Sequence, residues 1–136
     1  MARYEHLPLY KTAMELTGYI ETVVRTFSRY HKYTLGTDLR QQSRALVTVI
    51  IRANSQREKF PVLVDLRERV EAFQVLLRIC KEVKAFTKFE AYAQAAQLAV
   101  ALGLQIHLFG FYSHKRFSGS CLPNTRMIFT PCSSMW

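Results

Sequence analysis

Apolar side chains recur along this chain in steps of three and four residues over four separate stretches. The first runs Leu9, Ala13, Leu16, Ile20, Val23, Phe27, Tyr30, and the second Leu39, Ser43, Leu46, Ile50, Ala53. The third runs Val62, Leu66, Val70, Phe73, Leu77, Cys80, and the fourth Tyr92, Ala95, Ala99, Leu102, Ile106, Phe109. Steps averaging about 3.5 residues keep one helix face turned to a neighbouring helix, so each stretch predicts an amphipathic α-helix. Pro8, Gly36 and Pro61 punctuate the pattern, and Thr87 with Glu90 reads as a helix N-cap. The helices are expected at 8–32, 37–55, 61–86 and 88–112. Short connections make successive helices antiparallel. The fold class that follows is all-α, an antiparallel up-down four-helix bundle over residues 1–114, followed by an atypical C-terminal tail at 115–136. Each apolar stripe is too narrow to hold its helix alone, so stability must come from the shared core.

Two helices are apolar beyond that stripe. The second adds Ala45, Val47, Val49 and Ile51, and the third adds Leu63, Val75, Leu76, Ile79 and Val83. A second apolar face serves either a subunit contact or a wider internal core, and the pattern leaves both open.

Charge changes the picture more than composition does. The 136 residues carry 19 basic and 10 acidic side chains, a net charge of +9. That excess favours an anionic partner, nucleic acid first and anionic membrane second. From Thr22 to Arg57 stand Arg25, Arg29, Lys32, Arg40, Arg44, Arg52 and Arg57 against the one acid Asp38, and from Ala91 to Trp136 there is no acid. No apolar run approaches the ~20 residues that span a bilayer, and no signal peptide is read at the start, so the expected location is cytoplasmic without a membrane partner. Three cysteines, Cys80, Cys121 and Cys132, argue against a disulfide framework, and Cys80 falls on a core position.

The basic residues fall into rows. Arg40, Arg44 and Arg52 share a face of the second helix, with Thr48 between them, and Arg25, Arg29 and Lys32 make a similar row at the end of the first. On the third helix, Arg67 with Glu71 and Arg78 with Glu82 read as ordinary surface pairs, whereas Lys81 and Lys84 lack such a carboxylate. The expected nucleic-acid-binding residues are therefore Arg25, Arg29, Lys32, Arg40, Arg44, Arg52, Lys81 and Lys84. His31 and Tyr33 are candidates for stacking on unpaired bases, while Tyr30 ends an apolar stripe and is expected in the core.

The stretch Arg29-Tyr30-His31-Lys32-Tyr33-Thr34-Leu35-Gly36-Thr37-Asp38-Leu39 also carries a resemblance, with Ile51-Arg52-Ala53-Asn54 and the block from Phe73 to Glu82. In order and spacing these resemble the accessory variability determinant (Avd) family of diversity-generating retroelements, four-helix-bundle proteins related to those encoded by intervening sequences in 23S rRNA genes. The resemblance spans roughly residues 8 to 106. It implies a ring-like homopentamer with a reverse transcriptase and RNA or DNA as partners. The implied function is to bind the polymerase and template RNA or cDNA in support of mutagenic retrohoming. The alternative is a non-catalytic scaffold, associated with ribosome or rRNA or with other proteins. From about Leu104 the chain departs from the family's ending: Gly103 and Gln105 are kept, and Leu104 stands where relatives carry a basic residue. From Phe111 on no helical period is visible, and the tail reads as weakly packed or disordered, either a lineage-specific extension or the product of a frame change.

Enzymatic chemistry finds little support in the pattern. Glu68 and Glu71 are the one close carboxylate pair, and no His-Glu-x-x-His, glycine-rich phosphate loop or serine elbow occurs. His107, His114, Cys121 and Cys132 fit no standard zinc spacing. No catalytic residue, metal or cofactor is expected.

Overall fold

The structure, a computed structural model, describes residues 3–117. After a short 3-10 turn at Arg3–His6 come α1 (Pro8–Val24), α2 (Arg29–Tyr33), α3 (Leu35–Ser55), α4 (Phe60–Glu82) and α5 (Phe89–Phe117). Four of these are long, and they pack in a closed cycle: α1 against α3, α3 against α4, α4 against α5, and α5 back against α1. Polar links between neighbours give the directions. Glu21 near the end of α1 pairs with Arg40 near the start of α3, and Arg52 near the end of α3 pairs with Asp65 near the start of α4. The Tyr19 hydroxyl, late in α1, donates to the Ala91 carbonyl, early in α5, at 3.4 Å. Each neighbour therefore runs opposite to the last.

The core sits along the common axis and contains almost every position of the four apolar stripes. Leu16, Ile20, Leu39, Leu66, Phe73, Cys80, Ala95, Ala99 and Leu102 are shut off from solvent. Small residues on α5, Ala95 and Ala99, let Gln74 of α4 approach close enough to donate to the Ala99 carbonyl at 3.4 Å. The wider apolar faces divide. Val49, Leu63 and Leu76 join the core, Ala45, Val47 and Ile51 are half-buried, and Val75, Ile79 and Val83 stay exposed.

The first helix stops at Val24 rather than running to residue 32. The N–H groups of Thr26 and Phe27 turn back to the Val23 and Val24 carbonyls at 2.9 and 3.1 Å, and the Thr26 hydroxyl also donates to the Val23 carbonyl. This tight turn sends Phe27 into the core, where it meets Phe86 edge-on at 5.2 Å. It also takes Tyr30 out of register: that ring is 74% exposed, not in the core as the spacing predicts. Nor do Arg25, Arg29 and Lys32 form one helical row, because the turn separates Arg25 from α2.

Gly36 is not a turn residue. It lies in the first turn of α3 with a negative φ, and a Cβ there would stand 2.6 Å from Val24 Cγ1 and 3.2 Å from the His31 carbonyl oxygen. The glycine serves close approach of α3 to the end of α1 and to α2.

The third helix ends at Glu82, four residues early, in a paired C-terminal lock. Lys84 adopts φ 59°, its N–H donates to the Lys81 carbonyl at 3.0 Å, and the Ala85 N–H donates to the Cys80 carbonyl at 2.9 Å. This is the two-bond Schellman pattern with a lysine in the place glycine usually takes. At the next junction, Thr87 makes no capping bond and α5 starts at Phe89. α5 continues to Phe117, past the expected end at 112 and through a stretch in which no helical period is visible. No proline interrupts the chain between Phe89 and Phe117, and single glycines at 103 and 110 do not stop a helix that is already propagating. The rest of the expected tail, from residue 118, lies outside the described residues, as do Cys121 and Cys132.

Candidate nucleic-acid interface

The basic side chains fall into two groups that differ in what already holds them. The first lies along the α1–α3–α4 flank. Arg40 Nε is 3.0 Å from Glu21 Oε2, an ion pair without an aligned hydrogen bond, and Arg44 donates to the other oxygen of the same carboxylate. Arg52 donates to Asp65 Oδ2 at 2.7 Å and Arg69 to Asp65 Oδ1 at 2.9 Å. Hydrogen bonds from Arg69 and then Arg52, with their charges, hold the Asp65 carboxyl below its usual range. Each carboxylate thus shares itself between two guanidinium groups. Glu21 supplies what the sequence lacks near Arg40, a cation at the unfavourable end of a helix. Glu21 and Asp65 are the partners that a reading of one helix at a time misses. Antiparallel packing would have found them, since the end of one helix lies beside the start of the next.

The second group lies at the end of the bundle where α1 and α4 finish and α3 and α5 begin. Arg25, Arg29, Lys32, Lys84 and Lys88 form no salt bridge among the described residues. Arg78 and Glu82 are likewise not bridged to each other, whereas the Arg67–Glu71 pair forms at 3.1 Å. Lys81 caps a ring pair instead, its Nζ 5.7 Å from the Phe89 centroid and 5.3 Å from that of Tyr92. Aromatic contacts tie this end together: Phe27 meets Phe86, Phe86 meets Tyr92 at 5.7 Å, and Tyr92 meets Phe89 at 5.9 Å. Of these rings Phe27 is buried and Phe89 is 67% exposed, and on α2 Tyr30 and Tyr33 are 74% and 71% exposed. His31 is half-buried, with its ring edge-on to Tyr30 and Nδ1 shielded without a partner, a poorer stacking surface than either tyrosine. Acids at this end are Asp38, Glu82, Glu90 and, one turn in, the bridged Glu21, fewer than the cations around them.

The expected site residues therefore do not form one surface. Arg40, Arg44 and Arg52 are drawn into ion pairs on the flank, while Arg25, Arg29, Lys32, Lys81 and Lys84 gather at the bundle end. Lys88 joins the end group, and so does Tyr30, which its spacing puts in the core.

Open depressions among the described residues include two. One, of about 260 Å³, is lined by Gln42, Ala45, Arg69 and Ala72, and the other, of about 70 Å³, by Gln74, Leu77, Arg78, Tyr92, Ala96 and Val100. Both fall short of the roughly 300–1,000 Å³ of a typical small-molecule pocket. Among the described residues no three His, Cys, Asp or Glu side chains are grouped to hold a metal, and no helix is long and apolar enough to cross a membrane. No protein-family model matches the chain, and a search of curated proteins finds no match.

Proposed function

We propose that the protein is a non-catalytic, basic nucleic-acid-binding accessory protein of the Avd kind, acting in the cytoplasm with a reverse transcriptase and its template RNA or cDNA in support of mutagenic retrohoming. The observation that carries the binding part is the gathering of Arg25, Arg29, Lys32, Lys84 and Lys88, unbridged, beside exposed tyrosine rings. Unbridged cations need give up only water to meet phosphate, whereas Arg40 and Arg44 must first leave Glu21. The polymerase and the ring-like homopentamer rest on the resemblance alone. Fluorescence anisotropy with a structured RNA and a duplex DNA across salt tests the binding. Affinity should fall steeply as salt rises, with little dependence on sequence. Absence of binding at low salt would overturn the reading. Co-purification with a reverse transcriptase encoded beside the protein tests the second partner.

A scaffold role is the second reading, and one observation favours it. α4 and α5 leave Val64, Val75, Ile79, Val100, Leu104 and Leu108 exposed, spaced along their outer faces at helical intervals. Such faces suit contact with another protein or another copy of this one. Sedimentation velocity tests it: a monomer at micromolar concentration, unchanged by the polymerase, would remove the reading.

A further inference from the structure

We infer that the α2 end of the bundle selects single-stranded over double-stranded nucleic acid, with Tyr30 and Tyr33 as stacking platforms and the unbridged cations around them as phosphate contacts. The inference rests on the nucleic-acid reading above and adds which form is bound, where and by what. Its basis is the difference between the two basic groups. On the flank, Arg40, Arg44, Arg52 and Arg69 stand among carboxylates and no large ring is exposed beside them on α3. At the end, cations and bare rings occur together.

Tyr30 and Tyr33 follow three residues apart on a five-residue helix, so they share a side of α2. Their exposure is costly unless something covers them, since a Tyr ring exposes large apolar area to water. The fold makes no use of either ring in its core. Tyr30 touches only the edge of His31 among the ring contacts of the described residues, and Tyr33 touches none. The backbone that carries them is nonetheless fixed, because Gly36 lets α3 close against the His31 carbonyl and Phe27 pins the preceding turn. Tyr rings on a backbone already in place have only two side-chain torsions to order when a flat apolar ligand lies on them.

The choice of strand form follows from access to base faces. In a duplex the faces are stacked on one another, and only phosphates and groove edges remain for an outside ring. A single strand offers a base face at every nucleotide, and stacking on Tyr is tolerant of sequence. The cations supply the second requirement. Arg25, Arg29 and Lys32 flank the rings in sequence, and Lys84 and Lys88 come from the α4–α5 turn, which the Phe27–Phe86 contact brings to the same end. Lys84 holds its backbone in the left-handed region, a conformation that costs a non-glycine residue energy, and it is exposed.

The test uses the full chain and three labelled probes of twelve residues or base pairs: oligo(U), oligo(dT) and a mixed-sequence DNA duplex. Anisotropy is read at two salt concentrations for the unaltered protein, Tyr30→Ala/Tyr33→Ala, Tyr30→Phe/Tyr33→Phe, and Arg29→Ala/Lys32→Ala. The unaltered protein should bind the single strands at least tenfold more tightly than the duplex. The alanine pair should lose about tenfold or more on single strands, change less than twofold on the duplex, and keep its salt slope. The phenylalanine pair should retain the affinity. Arg29→Ala/Lys32→Ala should weaken all three probes and flatten the salt slope. Both tyrosines are exposed, so circular dichroism should show the alanine pair folded. Equal binding of strand and duplex, or an alanine pair that binds single strands like the unaltered protein, would overturn this inference and leave the nucleic-acid reading standing. Failure of every probe at low salt would overturn both.

Discussion

The outer side built by α1 and α3 and the one built by α4 and α5 enclose the same core, yet they finish their surfaces differently. The α1–α3 side shows solvent Lys11, Glu15, Thr22, Gln41, Arg44, Thr48 and Arg52, and its one exposed large apolar residue on these two helices is Met14. The α4–α5 side shows Phe60, Val64, Val75 and Ile79 from one helix and Phe89, Val100, Leu104 and Leu108 from the other. Core burial does not separate them, because both sides contribute fully buried leucines. The difference is in the half of each helix that a bundle does not need. A polar outer half settles a helix as a surface, and an apolar one leaves it open to a further contact. The molecule thus gathers its unbridged cations at the α2 end and leaves large apolar side chains exposed on α4 and α5, on α4 beside charged residues such as Arg67, Glu71 and Arg78.

The largest effect expected sharpens that contrast within a single helix. Phe73 and Val75 are two residues apart on α4, one sealed in the core and the other on the outer face. Phe73→Ala should cost about 3–5 kcal/mol in urea unfolding, from lost transfer energy and the cavity left behind. Val75→Ala should stay within about 0.5 kcal/mol for the isolated chain. A much larger loss at Val75, growing with protein concentration, would show that its face is covered in solution by another copy.

Which of these features were legible in the sequence follows from the range over which each is determined. The stripes on α3 and α4 were readable because helix period and core burial are the same fact seen twice: Leu39, Ser43, Leu46, Ile50 and Ala53 are all buried as their spacing requires. The break after Val24 was not readable, because Phe27 keeps the stripe's register while leaving the helix, and the turn begins inside the four-residue step from Val23 to Phe27. Gly36 was readable as special but not for its reason, since the atoms a Cβ would meet belong to α1 and α2. The charge rows were correct as positions on α3 and silent about Glu21, 23 residues from Arg44 in the chain. Tyr33 was readable as a stacking candidate, and Tyr30 joined it only when the turn placed it outside.

The next effect probes the seam where the two sides meet. Cys80 on α4 is sealed, and burial first, then the Asp38 carboxylate of α3, pushes its thiol from 9.0 up to about 11. In the unfolded chain the thiol ionises near its ordinary value, so above that pH only the unfolded state gains from losing the proton. The stability contribution is present in full below about pH 9 and is lost as pH rises toward about 11, by up to roughly 2–3 kcal/mol. Urea midpoints of the unaltered protein should therefore fall more steeply above about pH 9 than those of Cys80→Ala, which lacks the titrating group. Parallel falls would mean that the thiol is not shielded where α3 and α4 meet.

Gly36→Ala breaks the polar side at its joint. The added Cβ meets Val24 Cγ1 at 2.6 Å, and either α3 shifts or Val24 turns in a packed site. Overpacking of this kind costs about 1–3 kcal/mol. Because the same residue sets α2, the substitution should also disturb Tyr30 and Tyr33, visible as a change in near-ultraviolet circular dichroism. A stabilised Gly36→Ala, the usual result at an unconstrained helical glycine, would mean that the close approach is not real.

The smallest effect separates the two basic groups most directly. Glu21 is the shared anion of Arg40 and Arg44, and its side chain and that of Arg40 are 29% and 27% exposed. Glu21→Gln leaves both cations without their shared carboxylate. Partial exposure and salt screening limit the loss to below about 1 kcal/mol, smaller still at high salt. Glu71→Gln, which breaks the more exposed pair with Arg67, should change stability less. Nucleic-acid affinity then distinguishes flank from end. If the flank row is the phosphate contact, freeing Arg40 and Arg44 should raise affinity about tenfold at low salt and steepen the salt slope by about one to two contacts. If the α2 end is the contact, Glu21→Gln should raise affinity less than about threefold through its added charge at a distance, and the loss on removing Tyr30 and Tyr33 should stay the same size. Two groups that do not share a ligand should behave as independent sites, so the effects of Glu21→Gln and the tyrosine pair should add.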